Sequence, residues 1–304
     1  MSSRNNQFIS VIVITYNRTN ELKKCLSSIF SQNYSKFEVI IVDNNENPNI
    51  SSAVKKIISS FPQNKIKYFK ISKNLGVPGG RNFGVLKSKG EILIFIDDDA
   101  YFETKETFEK VIKKFQKDKE IGILSFKIVN YYSRKIDPKE FPHRNKRLNP
   151  DKEFETTYFI GAGHAIRKEV FSKAGLYPED FFYGDEELDL SFRAIDKGFK
   201  IVYFPEVVVW HKPSKKGRIN FQKMWEKVLE NRIKVSLRNL PLRYVISRAI
   251  FWSFFVFFKT KNPFLVFKVY KKIFLNLKKI LSQRKVISKT AILKIKKLKG
   301  RLFF

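Results

Sequence analysis

The stretch Gly90-Glu91-Ile92-Leu93-Ile94-Phe95-Ile96-Asp97-Asp98-Asp99-Ala100 decides how this chain is read. Its run Ile92–Ile96 is wholly apolar and of strand length, the pattern of a strand buried on both faces. Such a strand needs helices on either side, and the flanking sequence supplies them. Phe8–Ile14, Phe37–Val42 (ending at Asp43) and Ile66–Ile71 also read as strands. Thr19–Gln32, with Thr19 as its cap, Ile50–Ser60 and Gly79–Lys89 read as helices. Alternation of this kind predicts a parallel, two-sided α/β sheet. Ligands of such sheets sit outside the carboxyl ends of the strands. Thr15-Tyr16-Asn17, Asp43 and Asp97-Asp98-Asp99 each fall at one of those ends. Three polar groups are therefore expected to face one crevice.

The pattern changes after about residue 105. Thr107–Gln116 reads as a helix and Ile121–Asn130 as a strand. Tyr131–Thr156, charged and proline-containing, reads as a long mobile loop near a site. Ile160–Ile166, Ile201–Phe204 and Val207–Trp210 read as strands, and Glu186–Lys197 as a helix closed by Gly198. From about residue 219 the chain is helical by pattern, with breaks expected at Pro241 and Pro263.

Charge divides the molecule the same way. The formal net charge is +31, yet residues 1–211 hold 34 Lys and Arg against 27 Asp and Glu, while residues 212–304 hold 26 against 2. The basic character belongs to the last third, which predicts two functional zones. The single cysteine, Cys25, rules out an intrachain disulfide, fits a reducing compartment and reads as core filler on a helix. Residues 1–7 are polar and show no signal peptide pattern, and no run of apolar residues is long enough to span a bilayer.

Three adjacent carboxylates repel one another and call for a counter-charge. Alternation along an extended strand would put Asp97 and Asp99 on one side. Hard divalent cations such as Mg2+ or Mn2+ take carboxylate oxygens, often together with substrate phosphates. The plain alternative is a solvated turn. Nearby, Leu75-Gly76-Val77-Pro78-Gly79-Gly80-Arg81-Asn82 reads as a glycine-rich loop entering a helix. Gly76 would let backbone approach a phosphate, and Arg81 would pair with one.

In order along the chain, Val11–Arg18, Phe37–Asn44, Asn74-Leu75-Gly76 with Gly79–Asn82, Gly90-Glu91 with Asp97–Ala100, Gly161-Ala162-Gly163, Gly184–Leu190 and Trp210-His211 resemble glycosyltransferase family 2 over about residues 8–211. The resemblance implies a GT-A fold, a Rossmann-like mixed sheet flanked by helices, with a C-terminal helical region added. It implies a nucleotide-sugar donor, with residues 1–104 on the donor side and 105–214 on the acceptor side of one catalytic domain. By position, Thr15, Tyr16, Asn17 and Asp43 fall to the nucleobase and ribose, and Gly76 and Arg81 to the donor. Asp98 falls to the ribose, and Asp97 and Asp99 bracket the DxD motif that holds metal and diphosphate. His211 would complete the metal site, and Glu187 would be the general base, with Glu186 or Asp185 as alternatives in the same acidic run. A capped helix start is the plain reading of that run, since acidic side chains favour a helix N-terminus. The implied reaction inverts the anomeric centre. The Gln-x-x-Arg-Trp motif of processive members is missing, so one sugar per encounter is expected.

Residues 215–304 read as a basic amphipathic helical extension. Arg248–Lys259 and Phe264–Phe274 mix aromatics with Lys and Arg at helical spacing, the pattern of a helix lying on an anionic membrane. The expected location is cytoplasmic, peripheral at the inner face of the cell membrane, through residues 219–304. The expected acceptor is a lipid-linked glycan or cell-surface polysaccharide precursor. Nucleic acid is not an expected partner, because no recognised motif accompanies the basic patch. A donor of the UDP or dTDP type follows from letting Asp43 accept a base N–H. The competing readings are a nucleotidyltransferase with the same metal–phosphate architecture, and a non-catalytic basic protein.

Overall fold

A computed structural model describes residues 7–214 and 220–303. The polar start of the chain before residue 7, and the first residues of the expected extension at 215–219, lie outside the described residues. The strands are β1 (Ile9–Thr15), β2 (Phe37–Asp43), β3 (Ile66–Lys70), β4 (Ile92–Ile96), β5 (Ala100–Phe102), β6 (Ile121–Asn130), β7 (Phe154–Thr156), β8 (Gly163–Arg167) and β9 (Lys200–His211). Helices α1 (Thr19–Phe30), α2 (Pro48–Ile58), α3 (Gly76–Lys87), α4 (Thr107–Lys117), α5 (Lys168–Ala174) and α6 (Glu186–Asp196) cover them. Helices α7 (Phe221–Asn239), α8 (Leu242–Thr260), α9 (Pro263–Leu275), α10 (Leu277–Ser282) and α11 (Lys289–Lys297) follow.

The strands form one sheet in the order β3-β2-β1-β4-β8-β6-β9-β5, with β7 also on β9. β3, β2, β1 and β4 are parallel, as the alternation predicts. Beyond β4 the sheet is mixed, because β8 runs antiparallel between β4 and β6. Apolar faces on both sides of β1, β2 and β4 are buried by α1, α2 and α4 on one side and by α3, α5 and α6 on the other. Cys25 is part of the first of these cores.

Several boundaries depart from the sequence reading, each for a local reason. Thr19 is the first residue of α1 rather than its cap, which is Arg18. The expected glycine-rich loop is itself helix: α3 starts at Gly76, not Gly79. Its first-turn donors are satisfied there, Gly76 N–H by Asn74 Oδ1 at 2.8 Å and Val77 N–H by the Phe182 carbonyl at 2.9 Å. Pro78 has no N–H to satisfy. The two short strands expected near Ile201 and Val207 are one strand, β9, whose register with β6 shifts between Phe126 and Lys127. That irregularity absorbs Pro205 within a continuous ladder.

The tail is not a separate appendage at its start. Val235 of α7, Leu240, Tyr244 of α8 and Ala291 of α11 belong to the same core as Leu188 and Phe192 of α6. A satellite core of Leu229, Ile233, Val256, Leu265, Val269, Ile273 and Ile280 joins α7 to α8, α9 and α10. Among the described residues, no helix is long and apolar enough to cross a membrane.

Candidate active site

The acidic triplet follows β4 as a tight turn, closed by a hydrogen bond from Ala100 N–H to the Asp97 carbonyl at 3.0 Å. A turn, not strand alternation, therefore sets where the three carboxylates go. Asp98 turns toward β1, where Oδ2 accepts the Tyr16 N–H at 3.2 Å and Oδ1 pairs with Arg18 at 2.9 Å. Asp99 is carried the other way by the ladder between β5 and β9, in which Ala100 pairs with His211. That pairing brings residues more than a hundred positions apart to one place. Asp97, Asp99 and His211 each offer a ligand atom, and the three atoms lie within 4.8 Å of one another.

Charges in the triplet are balanced unevenly. Burial, with Asp99 adding to it against Arg18, pushes the Asp98 carboxyl up to about 7. Burial also works against the charge of Asp99, but His211 and Arg18 outweigh it, and the net direction is down. Asp99 Oδ1 is buried without a hydrogen-bond partner, 3.4 Å from His211 Nε2. The other ring nitrogen of His211, Nδ1, contacts Glu140 Oε1. Burial disfavours the imidazolium, yet Asp99 and Glu140 together push His211 up to about 10. A carboxylate on the far nitrogen fixes the ring and raises its basicity, the usual support of a metal-binding histidine. A metal on Nε2 would take the place of that nitrogen's proton. The donor set of two carboxylate oxygens and one imidazole nitrogen, with one oxygen orphaned, fits a divalent cation of the Mn2+ or Mg2+ type.

The second acidic group lies on α6. Its N-cap, Asp185, has φ +66°, after Gly184 at φ +84° and Phe182 at φ +61°. Those left-handed residues are clamped from α7. Asn231 Nδ2 lies 2.9 Å from the Tyr183 carbonyl and 2.7 Å from that of Gly184, and Arg232 sits 2.7 Å from Asp185. Glu187 Oε1 accepts from Arg81 Nη1 at 2.8 Å, and Glu186 Oε1 from the same nitrogen at 3.2 Å. Arg81 Nη2 meets the Gly161 carbonyl at 3.1 Å and Asp97 at 3.6 Å. Gly161 allows this closeness, since a Cβ there would stand 2.2 Å from Glu187 Oε1. Burial, reinforced by Glu187, pushes the Glu186 carboxyl up to about 8.

A crevice of about 180 Å³ opens beside the triplet, lined by Tyr16, Arg18, Asn44, Asn74, Gly76, Asp97, Asp98, Asp99, Phe182, Tyr183 and His211 among others. Of the candidates, Tyr16, Gly76, the three aspartates and His211 line it together. Thr15 is buried behind it, and Asn17, at φ +59°, uses its N–H on Asn45 Oδ1 at 2.6 Å. Two expectations change. Arg81 is not an arm offered to phosphate: it is buried in α3, and carboxylates and a carbonyl occupy its Nη1 and Nη2. Asp43 is fully buried, its Oδ1 taken by Asn45 and its Oδ2 by the Tyr68 hydroxyl at 2.5 Å. Its neighbour Asn44 lines the crevice instead. Nδ2 of Asn44 donates to the Gly76 carbonyl at 3.1 Å, and its Oδ1 is buried without a partner.

Sequence reasoning missed Arg18, Asn44, Glu140, Phe182 and Tyr183. Arg18 and Asn44 adjoin residues already singled out at the ends of β1 and β2. Glu140 sits in the long loop expected near a site, but no spacing links it to His211.

The profile described as Glycosyl transferase family 2 matches residues 10–175. An uncharacterized protein of Haemophilus influenzae is 35% identical over 179 residues, covering 59% of this chain and 97% of that protein. Glycosyltransferase GlyA of Streptococcus pneumoniae is 35% identical over 127 residues, 41% of this chain but only 17% of that one. A Campylobacter jejuni protein named GalNAc(5)-diNAcBac-PP-undecaprenol beta-1,3-glucosyltransferase is 36% identical over 93 residues, 30% of this chain and 29% of that one. Among solved structures, GalNAc-T7 with UDP, GalNAc and Mn2+ superposes with a TM-score of 0.64 at 18% identity, covering 81% of this chain and 51% of that one. The mannosyltransferase PcManGT from Pyrobaculum calidifontis, in complex with GDP-Man and Mn2+, superposes at 0.59 and 18% identity, covering 96% and 79%.

Proposed function

The chain belongs to glycosyl transferase family 2 with a GT-A fold, and from that premise we propose that it moves one sugar from a nucleoside-diphosphate donor to an acceptor hydroxyl with inversion. The observation that carries this is one continuous array. Asp97, Asp99 and His211 converge on one point, and Arg81 joins Asp97 to Glu187 across the wall of the same crevice.

Each residue then has a task. Asp97, Asp99 and His211 would hold a divalent metal, which neutralises charge on the departing diphosphate. Glu140 keeps the His211 ring turned so that Nε2 faces Asp99. Asp98 and Arg18 brace the end of β1 beside the ribose position. Asn44, which lines the crevice beside Asp43, is the side chain placed to meet the base, and a uracil or thymine donor stays the preferred one. The acceptor oxygen attacks the anomeric carbon, the bond to the diphosphate oxygen breaks, and Glu187 takes the hydroxyl proton. Glu187 is preferred over Glu186 because its side chain is 17% exposed against 3%. Glu186, held protonated near neutrality, is a poor proton acceptor there.

The acceptor is proposed to be lipid-linked and met at an anionic membrane surface. Phe254, Phe258, Phe264, Phe267 and Phe274 of α8 and α9 stand exposed among lysines. That surface, and the PP-undecaprenol in the Campylobacter relative's name, support this reading.

The test incubates the protein with UDP- and dTDP-sugars and a prenyl-diphosphate-linked acceptor, with and without Mn2+, and identifies the released nucleotide. Metal-dependent release of a nucleoside diphosphate is expected, and Asp99→Ala should abolish it. Release of pyrophosphate instead would make the protein a nucleotidyltransferase.

A further inference from the structure

The turn ahead of Glu187 is held from the C-terminal extension as well as from the sheet domain. On α7, Asn231, Lys234 and Arg238 recur at helical spacing and share one face. The segment Asp180–Asp185 runs along that face. Arg238 meets both oxygens of Asp180, at 3.1 and 3.0 Å, and Lys234 Nζ stands 2.9 Å from Oδ2 of the same carboxylate. Farther along, Asn231 Nδ2 donates to the carbonyls of Tyr183 and Gly184 at 2.9 and 2.7 Å, and Arg232 Nε lies 2.7 Å from Asp185. Helix α6 starts at the next residue, Glu186, and carries Glu187 in its first turn.

This segment needs holding. Phe182 and Asp185 carry side chains at φ +61° and +66°, a left-handed conformation that persists only where the surroundings impose it. The turn also aims three carbonyl oxygens at one place, since Asn231 Nδ2 lies 3.3 Å from the Phe181 carbonyl besides the two nearer ones. Oxygens gathered in this way repel unless a donor stands between them, and an amide nitrogen brings two protons and no lone pair to the point. Asn231 is fully buried, and its Oδ1 has no partner. An orphaned acceptor in the core is costly. Turned over, the amide would set its oxygen against three others, so the donor end is what the turn requires.

The other side of the turn faces the chemistry. The Phe182 carbonyl accepts the Val77 N–H at 2.9 Å, and a Cβ at Gly76 would stand 2.3 Å from that oxygen. Phe182 and Tyr183 line the crevice together with Asp97, Asp98 and Asp99, whereas Asn231 does not reach it. We propose that Asn231 is a positioning residue for sugar transfer. Through its hydrogen bonds to the turn it fixes one wall of the donor crevice and the place from which Glu187 acts. The role rests on the transfer reading given above, with Glu187 as base. A reacting group displaced by about 1 Å can cost about 10²-fold in rate, so a residue that never meets substrate can still govern turnover.

Steady-state kinetics and melting temperatures are measured on the full chain for Asn231→Ala, Asn231→Asp and Leu229→Ala. Leu229 is as buried as Asn231 on the same helix, but it packs in the satellite core with α8, α9 and α10. Its variant should lose melting temperature while kcat and donor KM per folded enzyme stay as in the wild type. Asn231→Ala should lower kcat roughly tenfold to a hundredfold and raise donor KM, because base and crevice wall shift together. Asn231→Asp keeps the size but offers the turn one proton at most, and only while un-ionised, so its kcat should fall further behind the wild type's as pH rises. It decides the matter alone if Asn231→Ala does not fold. A lower melting temperature with wild-type kcat and KM in the Asn231 variants overturns the proposal. An equal kinetic loss in Leu229→Ala overturns it too, since any loosening of α7 would then suffice. A wild type that releases no nucleoside diphosphate sinks the transfer reading itself, whereas unchanged kinetics in the Asn231 variants of an active enzyme sink only the positioning role.

Discussion

At the crevice, charges are inside and paired; on α8 and α9, several aromatic rings stand outside. Asp98, Asp99, Arg81 and Glu186 are all buried, and Arg18, Arg81 and His211 are shared among the acidic groups. Phe264 is 80% and Phe274 76% exposed. Burying a charge is costly unless its partners are fixed, so a buried charged array is a rigid one. Exposing an apolar patch this large is costly unless something apolar meets it. Changes in the first region should therefore alter rate, and changes in the second should alter location.

The largest break is expected at Glu187. Glu187→Gln keeps the contact with Arg81 but cannot take a proton, and should lower turnover about 10²–10⁴-fold with donor affinity little changed. Steady-state kinetics with saturating donor decides it, and turnover within a few-fold of wild type would remove Glu187 as base.

Glu140→Gln comes next. It leaves the proposed metal ligands in place and weakens only the support of His211, so metal affinity should fall roughly 10–100-fold. Activity should be recovered at high Mn2+, which isothermal titration and a metal-dependence curve can follow. An unchanged metal curve would leave Glu140 a loop residue only.

The other side of the comparison is broken by Phe264→Ser/Phe267→Ser. These rings project from α9 with no place in its buried seam of Leu265, Val269 and Ile273. Binding to phosphatidylglycerol vesicles should weaken about tenfold or more, each ring contributing roughly 1.5–3 kcal/mol when buried. Hydrolysis of donor in solution should not change. Raising salt should loosen the lysine part of the binding in both proteins. Point changes are the right tool, because a chain cut near Ser214 would also lose Asn231 and Arg232, which clamp the loop before Glu187.

What could be read from sequence follows the same division. The parallel half of the sheet was legible because Ile92–Ile96 and its neighbours are apolar runs ending in polar residues. Asp97, Asp99 and His211 were legible as residue types suited to a metal, but their assembly was not. Asp97 and Asp99 meet through a turn, and His211 arrives through the β5–β9 ladder. Local pattern carries no information on which distant strands pair. Arg81 and Asp43 sit otherwise than their sequence context suggests, for a related reason. Each has the right chemistry for a ligand, yet internal groups reach it first, and those groups come from α6 and β3. In the tail, periodicity marked helices without telling which faces pack. Only contacts show α7 inside the catalytic core and α8 and α9 turning their rings outward.

The smallest expected effect is also the sharpest on the crevice itself. Burial and Glu187 push Glu186 up to about 8, from an ordinary 4.5. The folded protein then holds a proton there that the unfolded chain gives up more easily. Stability from this group is complete below the ordinary value and is lost as pH rises through about 8. Glu186→Gln removes that titration while keeping the shape. Its melting temperature should therefore gain on the wild type's as pH rises from about 4.5 to about 8, and no further above that. Turnover should stay within a few-fold, because a carboxyl that is protonated near neutrality is not the base. Loss of turnover in Glu186→Gln with retention in Glu187→Gln would exchange the two roles and make the buried residue, not the exposed one, the proton acceptor.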